Sequence, residues 1–291
     1  MSKNNDVDFS TVRTGASTRA NGIRLLVLDL DGTIVDESNH IRDSAIRAIH
    51  SAQRHGVAVA LATGRMFRSS LSVYESVDAT LPIICHEGAL IRQPQTDLVH
   101  RHWSLEPRLI SAVLDETEHL SRSGRLSVHC YVQDDLYVSN LNEASSKFLE
   151  GSTVVPVVVS DLRTLASMAI TKAMLVSDDA QAIARVYRRL KNSSGRIRLK
   201  QYKSIPFLEV FHPAVNKRLA VSYLAEELLA LRPENVMAIG DDFTDIEMLE
   251  YAGIGVAMGN APAAVKACAD WVTTTIEQDG VVKAVERWVV G

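Results

Sequence analysis

Asp29 and Asp31 stand one residue apart in Asp29-Leu30-Asp31-Gly32-Thr33, a spacing that aims two carboxylates differently around one spot. One can attack an electrophile while the other handles a proton, and Gly32 permits a tight turn directly after them. Gly240-Asp241-Asp242-Phe243-Thr244-Asp245 gathers further carboxylates, which would repel one another without a cation. Hard oxygen donors without histidine or cysteine favour Mg2+. Thr63, followed by Gly64, offers a hydroxyl and a backbone N–H to a phosphate oxygen. Lys217 stands at a helix start, where a cation is mildly unfavourable, so a phosphate partner would account for it. Each stretch alone also reads as ordinary structure: a turn after a strand, an acidic first helical turn, a solvated lysine. What sets them apart is where along the chain they fall.

They fall at the ends of predicted elements. Residues 24–29 are an apolar run without alternation, as in a strand covered on both faces, and the run ends in Asp29. Asp43 or Ser44 can cap a helix reaching His55, with Gly56 as its stop. Val57–Ala62 reads as a second buried strand ending at Thr63, Met66–Val77 as a helix and Pro82–Cys85 as a third strand. This rhythm predicts a parallel sheet wrapped by helices, whose strands present ligands at their carboxyl ends. From about residue 90 to 205 the pattern changes. Leu126–Val132, Asp135–Val138, Ala169–Val176 and Ile197–Tyr202 read as strands, and Glu106–Ser121 and Asp179–Lys191 as helices. The first rhythm returns with a strand at Phe207–Phe211, a helix at Asn216–Leu231 and a strand at Val236–Ile239 that runs into Gly240-Asp241. It continues with a helix at Asp245–Tyr251, a strand at Ile254–Ala257 and helices at Pro262–Ala267 and Gly280–Trp288. The predicted organisation is one α/β domain, residues 22–89 and 206–291, with an α+β domain inserted at 90–205. Residues 1–21, polar and rich in Ser, Asn, Thr and Arg, are expected to form a disordered tail.

Composition excludes several classes. Lys and Arg total 31 against 35 Asp and Glu, a net charge of −4, so the chain has no bulk attraction for nucleic acid or anionic lipid. No stretch approaches the roughly 20 apolar residues of a membrane span. Cys85, Cys130 and Cys268 are scattered and odd in number, which argues against a disulfide framework or a zinc site and for a cytoplasmic, reduced protein. Gly253-Ile254-Gly255-Val256-Ala257-Met258-Gly259 imitates a dinucleotide-binding glycine pattern, but its glycines flank an apolar strand instead of leading one into a helix.

Taken together and in this order, the stretches resemble the haloacid dehalogenase (HAD) superfamily, and most closely its Cof-type phosphatases, which carry a large α/β cap. Leu28 to Thr33 matches the first motif, Thr63-Gly64-Arg65 the second, Lys217 the third and Gly240 to Asp245 the fourth. Val256 to Ala261, Ala269-Asp270 and Asp279-Gly280-Val281 resemble the end of the same fold. The chain departs from the family in three places. Thr244 replaces the usual Asn, Glu87-Gly88-Ala89 replaces Asn-Gly-Ala, and Arg218 follows the lysine where Gly is usual.

The resemblance implies a Rossmann-like parallel-sheet core with an inserted cap, and a Mg2+-dependent phosphatase acting on small phosphorylated metabolites, as a monomer or small homo-oligomer. It implies that Asp29 is a nucleophile forming an aspartyl-phosphate and that Asp31 is the acid and base. Asp29, Asp31 (through its carbonyl), Asp241 and Asp245 would serve the metal. Leu30, Thr63, Gly64, Lys217 and Thr244 would hold the phosphate, with Arg65, Glu87 and Asn260 as candidates to meet the substrate. A phosphotransferase or mutase, or a phosphometabolite sensor without catalysis, are the alternative readings.

Overall fold

The computed structural model describes residues 22–150, 154–193, 197–201 and 207–291. The tail expected at 1–21, Tyr202 at the end of an expected strand and the expected boundary at 205/206 lie outside the described residues. The chain divides into two compact units: residues up to His100 together with Asn216–Gly291, and Arg101–Val215.

The first unit begins with β1 (Leu25–Leu28), α1 (Asp43–Arg54), β2 (Ala58–Leu61), α2 (Phe67–Ser76), β3 (Ile83–Cys85) and β4 (Leu90–Arg92). The division falls within β5 (Val99–His102), which adds a third strand to the antiparallel β3–β4 hairpin. β1 is buried along its whole length, as an inner parallel strand must be. α1 buries Ala45, Ala48, Ile49 and Ala52, one face of a 3.6-residue repeat. Its start differs from expectation. Arg42 holds the cap position, Asp43 opens the first turn, and the Ser44 hydroxyl donates instead to Asp279 Oδ1 at 2.6 Å. The expected third strand also differs: β3 touches the main sheet through one bridge, Ala62 to Ile84, and spends its other edge on β4.

The second unit carries α3 (Pro107–Arg122), β6 (Ser127–Val132), β7 (Asp135–Val138), α4 (Glu143–Leu149), β8 (Val157–Val158), β9 (Ile170–Val176), α5 (Ala180–Ser193), β10 (Arg198–Gln201) and β11 (Phe207–Phe211). They build a six-stranded sheet in the order β10-β11-β9-β6-β7-β8. Alternation sorts its faces: Val128, Cys130, Ala173, Leu175, Leu208 and Val210 share a core with Ile110 and Val113 of α3 and Ile183 and Val186 of α5. β11 corrects a sequence expectation, because it pairs antiparallel with β9 and β10 instead of joining the parallel sheet. A five-residue apolar strand carries no pattern that tells one sheet from another.

The chain returns to the first unit with α6 (Lys217–Ser222), β12 (Val236–Gly240), α7 (Ile246–Tyr251), β13 (Ile254–Ala257), α8 (Ala263–Cys268), β14 (Trp271–Val272) and α9 (Gly280–Val285). α6 and α9 are shorter than expected, since the chain widens to π-type winding at Tyr223–Leu228 and Glu286–Val290. The parallel sheet has the order β14-β13-β12-β1-β2. Leu26, Leu28, Val59, Leu61, Met237, Ile239 and Val256 pack with Ile49 and Val285 in one core. Because Leu28 pairs with Ile239, the residues following β1 and β12 emerge side by side. No described helix is long and apolar enough to cross a membrane.

Candidate active site

Asp29 leaves β1 with its N–H bonded to Ile239 O at 3.0 Å, so the adjacent strands fix its direction. The chain then turns sharply. The Leu30 carbonyl accepts from the N–H groups of Thr33, Ile34 and Val35 at 3.1, 2.9 and 2.8 Å. Gly32 has φ +83°, and a Cβ there would overlap the Asp241 carboxylate, so only glycine serves. Thr33, quoted in the motif but given no role from sequence, is buried and donates its hydroxyl to Asp241 Oδ1 at 3.1 Å. Its only signal in the sequence is a hydroxyl two residues beyond the paired acids.

Lys217 is the first residue of α6, and Asn216 caps that helix by accepting the Leu219 N–H at 2.6 Å. The lysine is 2% exposed. Its Nζ donates to Asp29 Oδ1 at 2.6 Å and to Asp245 Oδ1 at 2.7 Å. Carboxylates thus account for a cation at a helix start. Asp245 Oδ2 accepts from the N–H groups of Asp241 and Asp242, both at 2.9 Å. Asp245 is fully buried and engaged at both oxygens, which suits it to holding the turn and the lysine in place.

Burial first, then Asp245, raises the Asp29 carboxyl well above the usual carboxylate range, with Lys217 opposing. Burial and next Asp245 push Asp241 up to about 7. Burial pulls the Lys217 ammonium down, but Asp245 and Asp29, followed by Glu87, outweigh it and hold its pKa well above the ordinary lysine value. Asp29, Asp241 and Asp245 each offer an oxygen, all within 4.8 Å of one another. Three carboxylates against one ammonium leave a negative excess, and an all-oxygen donor set fits Mg2+.

The other expected residues are arranged around this group. Asp31 turns outward: Arg65 Nε donates to its two oxygens at 3.1 and 2.9 Å, and Arg65 Nη2 donates to Oδ1 as well. Thr63 is buried, and its Oγ1 accepts the Arg65 N–H at 3.1 Å. A Cβ on Gly64 would overlap Glu87 Oε1. Asn260 Nδ2 donates to Gly32 O at 2.9 Å and to Asp241 Oδ2 at 3.1 Å, which makes it a brace for the acid. Thr244 lies apart from the carboxylate group in its bonding, its hydroxyl donating to Asp242 Oδ2 at 3.4 Å.

A profile of haloacid dehalogenase-like hydrolases matches residues 26–285. The chain belongs to this family. As a haloacid dehalogenase-like hydrolase of the Cof-type phosphatase group, it acts on phosphate monoesters. Two Bacillus subtilis proteins, YitU and YcsE, both named 5-amino-6-(5-phospho-D-ribitylamino)uracil phosphatase, are each 30% identical to it. The alignments cover 91% of this chain and 97% of YitU, and 92% of this chain and 96% of YcsE. A haloacid dehalogenase-like hydrolase from Bacteroides thetaiotaomicron superposes with a TM-score of 0.79 at 27% identity, over 91% of this chain and 99% of that one.

Proposed function

We propose that this enzyme hydrolyses small phosphorylated metabolites in two steps, through an aspartyl-phosphate on Asp29, and that it requires Mg2+. The observation that carries the reading is the buried Lys217 amine, set 2.6 Å from Asp29 in a group of carboxylates that it cannot neutralise alone. In the first step Asp29 attacks phosphorus, the bond to the ester oxygen breaks, and Asp31 gives that oxygen a proton. In the second, Asp31 takes a proton from water, the water oxygen attacks phosphorus, and the bond to Asp29 breaks. Inorganic phosphate leaves and both carboxyls are restored.

A carboxylate approaching a phosphate dianion is repelled by roughly 8 kcal/mol at about 4 Å in an effective dielectric near 20. At about 1.4 kcal/mol per tenfold in rate, repulsion of that size would slow attack by several powers of ten. Lys217 opposes it directly. Mg2+, when bound, supplies the remaining positive charge beside the transferring group. Asp29, Asp241 and the Asp31 carbonyl would hold it, with Asp245 supporting. Lys217, Thr63 and the Leu30 and Gly64 amides would hold the phosphate oxygens; Thr244 joins them once its hydroxyl leaves Asp242. Asp31 cannot donate a proton while Arg65 occupies both its oxygens, so the Arg65 grip must open before the leaving group departs.

The names of YitU and YcsE make 5-amino-6-(5-phospho-D-ribitylamino)uracil the first substrate to test, within a wide panel of sugar phosphates and phosphorylated cofactors. Phosphate release in the presence of Mg2+ is the measurement. Asp29→Asn should remove activity by about 10,000-fold or more while leaving the fold intact, and EDTA should abolish turnover until Mg2+ is restored. Full activity in Asp29→Asn, or turnover that resists EDTA, would overturn this mechanism.

A further inference from the structure

Asp31 and Arg65 stand in neighbouring loops, one after β1 and one after β2, and the backbone of each is tied down. Asp31 bridges to Val35 within its own turn. The Arg65 N–H donates to Thr63 Oγ1 at 3.1 Å, and the Arg65 carbonyl accepts from the His86 N–H at 3.0 Å. Rearrangement between the two residues is therefore left to their side chains. The guanidinium meets the carboxylate along its Nε–Nη2 edge, with Nε 3.1 and 2.9 Å from the two oxygens and Nη2 on Oδ1. The Asp31 side chain is 60% exposed and that of Arg65 19%. An ion pair with so open a carboxylate is weak in water and exchanges readily. Its geometry is selective all the same, a planar fork of donors set against two coplanar oxygens. On the mechanism above Asp31 must leave that fork before it can give up a proton. A substrate hydroxyl would offer the fork one oxygen and no charge. A second phosphate would offer two oxygens but bring up to two negative charges toward a site where three carboxylates already face one ammonium. A carboxylate replaces Asp31 like for like.

We propose that the Arg65 guanidinium passes from Asp31 to a carboxylate carried by the ester's leaving group, and that this exchange frees Asp31 to act as the acid. Arg65 is thereby a specificity-determining residue. Within the panel of phosphate esters it favours phosphorylated hydroxy acids and amino acids. The inference rests on the phosphatase reading and adds a substrate class to it.

O-phosphoserine and O-phosphoethanolamine differ by one carboxylate and form the matched pair for the test. With the full chain and Mg2+, kcat/KM for phosphoserine should exceed that for phosphoethanolamine by about tenfold. Arg65→Gln removes the charged fork and should bring the ratio near one, whatever it does to the overall rate. Arg65→Lys keeps the charge without the fork and should lose most of the preference as well. Binding is read apart from turnover by titration calorimetry on Asp29→Asn. Adding Arg65→Gln to that protein should weaken phosphoserine binding by about tenfold and leave phosphoethanolamine binding as it was. A ratio near one in the wild type, or a preference that survives either substitution in a protein that melts as the wild type does, would overturn the exchange. Wild type that hydrolyses p-nitrophenyl phosphate without a carboxylate preference defeats the exchange alone, whereas wild type that hydrolyses none of the three esters defeats the phosphatase reading itself.

Discussion

Lys217 in the first unit and Lys172 in the second are both buried ammonium groups, 2% and 6% exposed, yet their surroundings differ in kind. Lys172 meets one carboxylate, Glu209, at 2.5 Å, and lies 4.9 Å from the ring centre of Tyr131 and 5.7 Å from that of Phe211. The ammonium lies on a carboxylate and beside two aromatic rings. Lys217 meets Asp29 and Asp245 directly, with Asp241 alongside. Its site holds more negative charge than the lysine can cancel. The Lys172 site sets its ammonium against a carboxylate and aromatic rings, whereas the carboxylate excess around Lys217 would be relieved by a further cation.

Replacing each lysine with methionine tests the contrast most strongly. Lys217→Met should lower kcat on a good phosphate ester by about 100- to 1,000-fold, as expected for loss of a charge-stabilising donor. Lys172→Met should leave kcat on p-nitrophenyl phosphate nearly unchanged but cost about 3–5 kcal/mol of stability, because the buried Glu209 carboxylate then loses the ammonium it lies against. The double variant Lys172→Met/Glu209→Leu should lose less stability in a denaturant titration than the two single variants' losses added together, as coupled partners do. A drop in kcat for Lys172→Met as deep as for Lys217→Met would break the comparison.

Acidity separates the units next. The folded state holds the carboxyls of Asp29 and Asp241 more readily protonated than an unfolded chain does, with Asp241 raised to about 7. Stability from the raised Asp241 carboxyl is therefore fully present below an unfolded value of about 4 and is lost as pH rises through about 7, and the raised Asp29 carboxyl acts in the same direction. Lys217, whose own value is raised, changes nothing in that window. The metal-free protein should thus melt lower near pH 8 than near pH 5, and Mg2+, which on the proposed mechanism would bind the ionised acids, should raise the melting temperature by several degrees near pH 8 and little near pH 5. A melting temperature indifferent to Mg2+ at both values would remove the charge excess from the account.

How much of this is legible in the sequence follows from what each feature depends on. The meeting of Asp29, Lys217, Asp241 and Asp245 is readable because each sits at an element's end, and element ends follow from apolar runs and their breaks. The direction of a side chain is not readable in that way. Asp31 points to Arg65, Asn260 to Asp241 and Thr244 to Asp242, and the choice is made by loop geometry that no spacing encodes. β11 goes to the second unit because its partners, β9 and β10, lie there, although its apolar residues would serve either sheet. Arg42 takes the cap position in place of Asp43 because Ser44 and Arg42 both reach Asp279, a contact made across most of the chain's length.

The smallest effect concerns Asn260, which the sequence offers as a residue to meet the substrate and the structure places against an acid. Asp241 is oriented from two loops: Thr33 donates to Oδ1 at 3.1 Å, and Asn260 donates to Oδ2 at the same distance while also tying down Gly32 O at 2.9 Å. Asn260 is exposed, so its removal leaves no buried group stranded, and Asn260→Ala should cost little stability. What it removes is half of the support for a carboxylate that, on the proposed mechanism, presents an oxygen to the cation. Loss of such outer support commonly weakens metal binding by 10- to 100-fold, and exposure places Asn260 at about the lower end. Mg2+ titration monitored through activity and through melting temperature should show that loss, with KM for the ester unchanged at saturating Mg2+. If KM rises instead and Mg2+ affinity holds, Asn260 faces the substrate, and Thr33 alone is enough to aim Asp241.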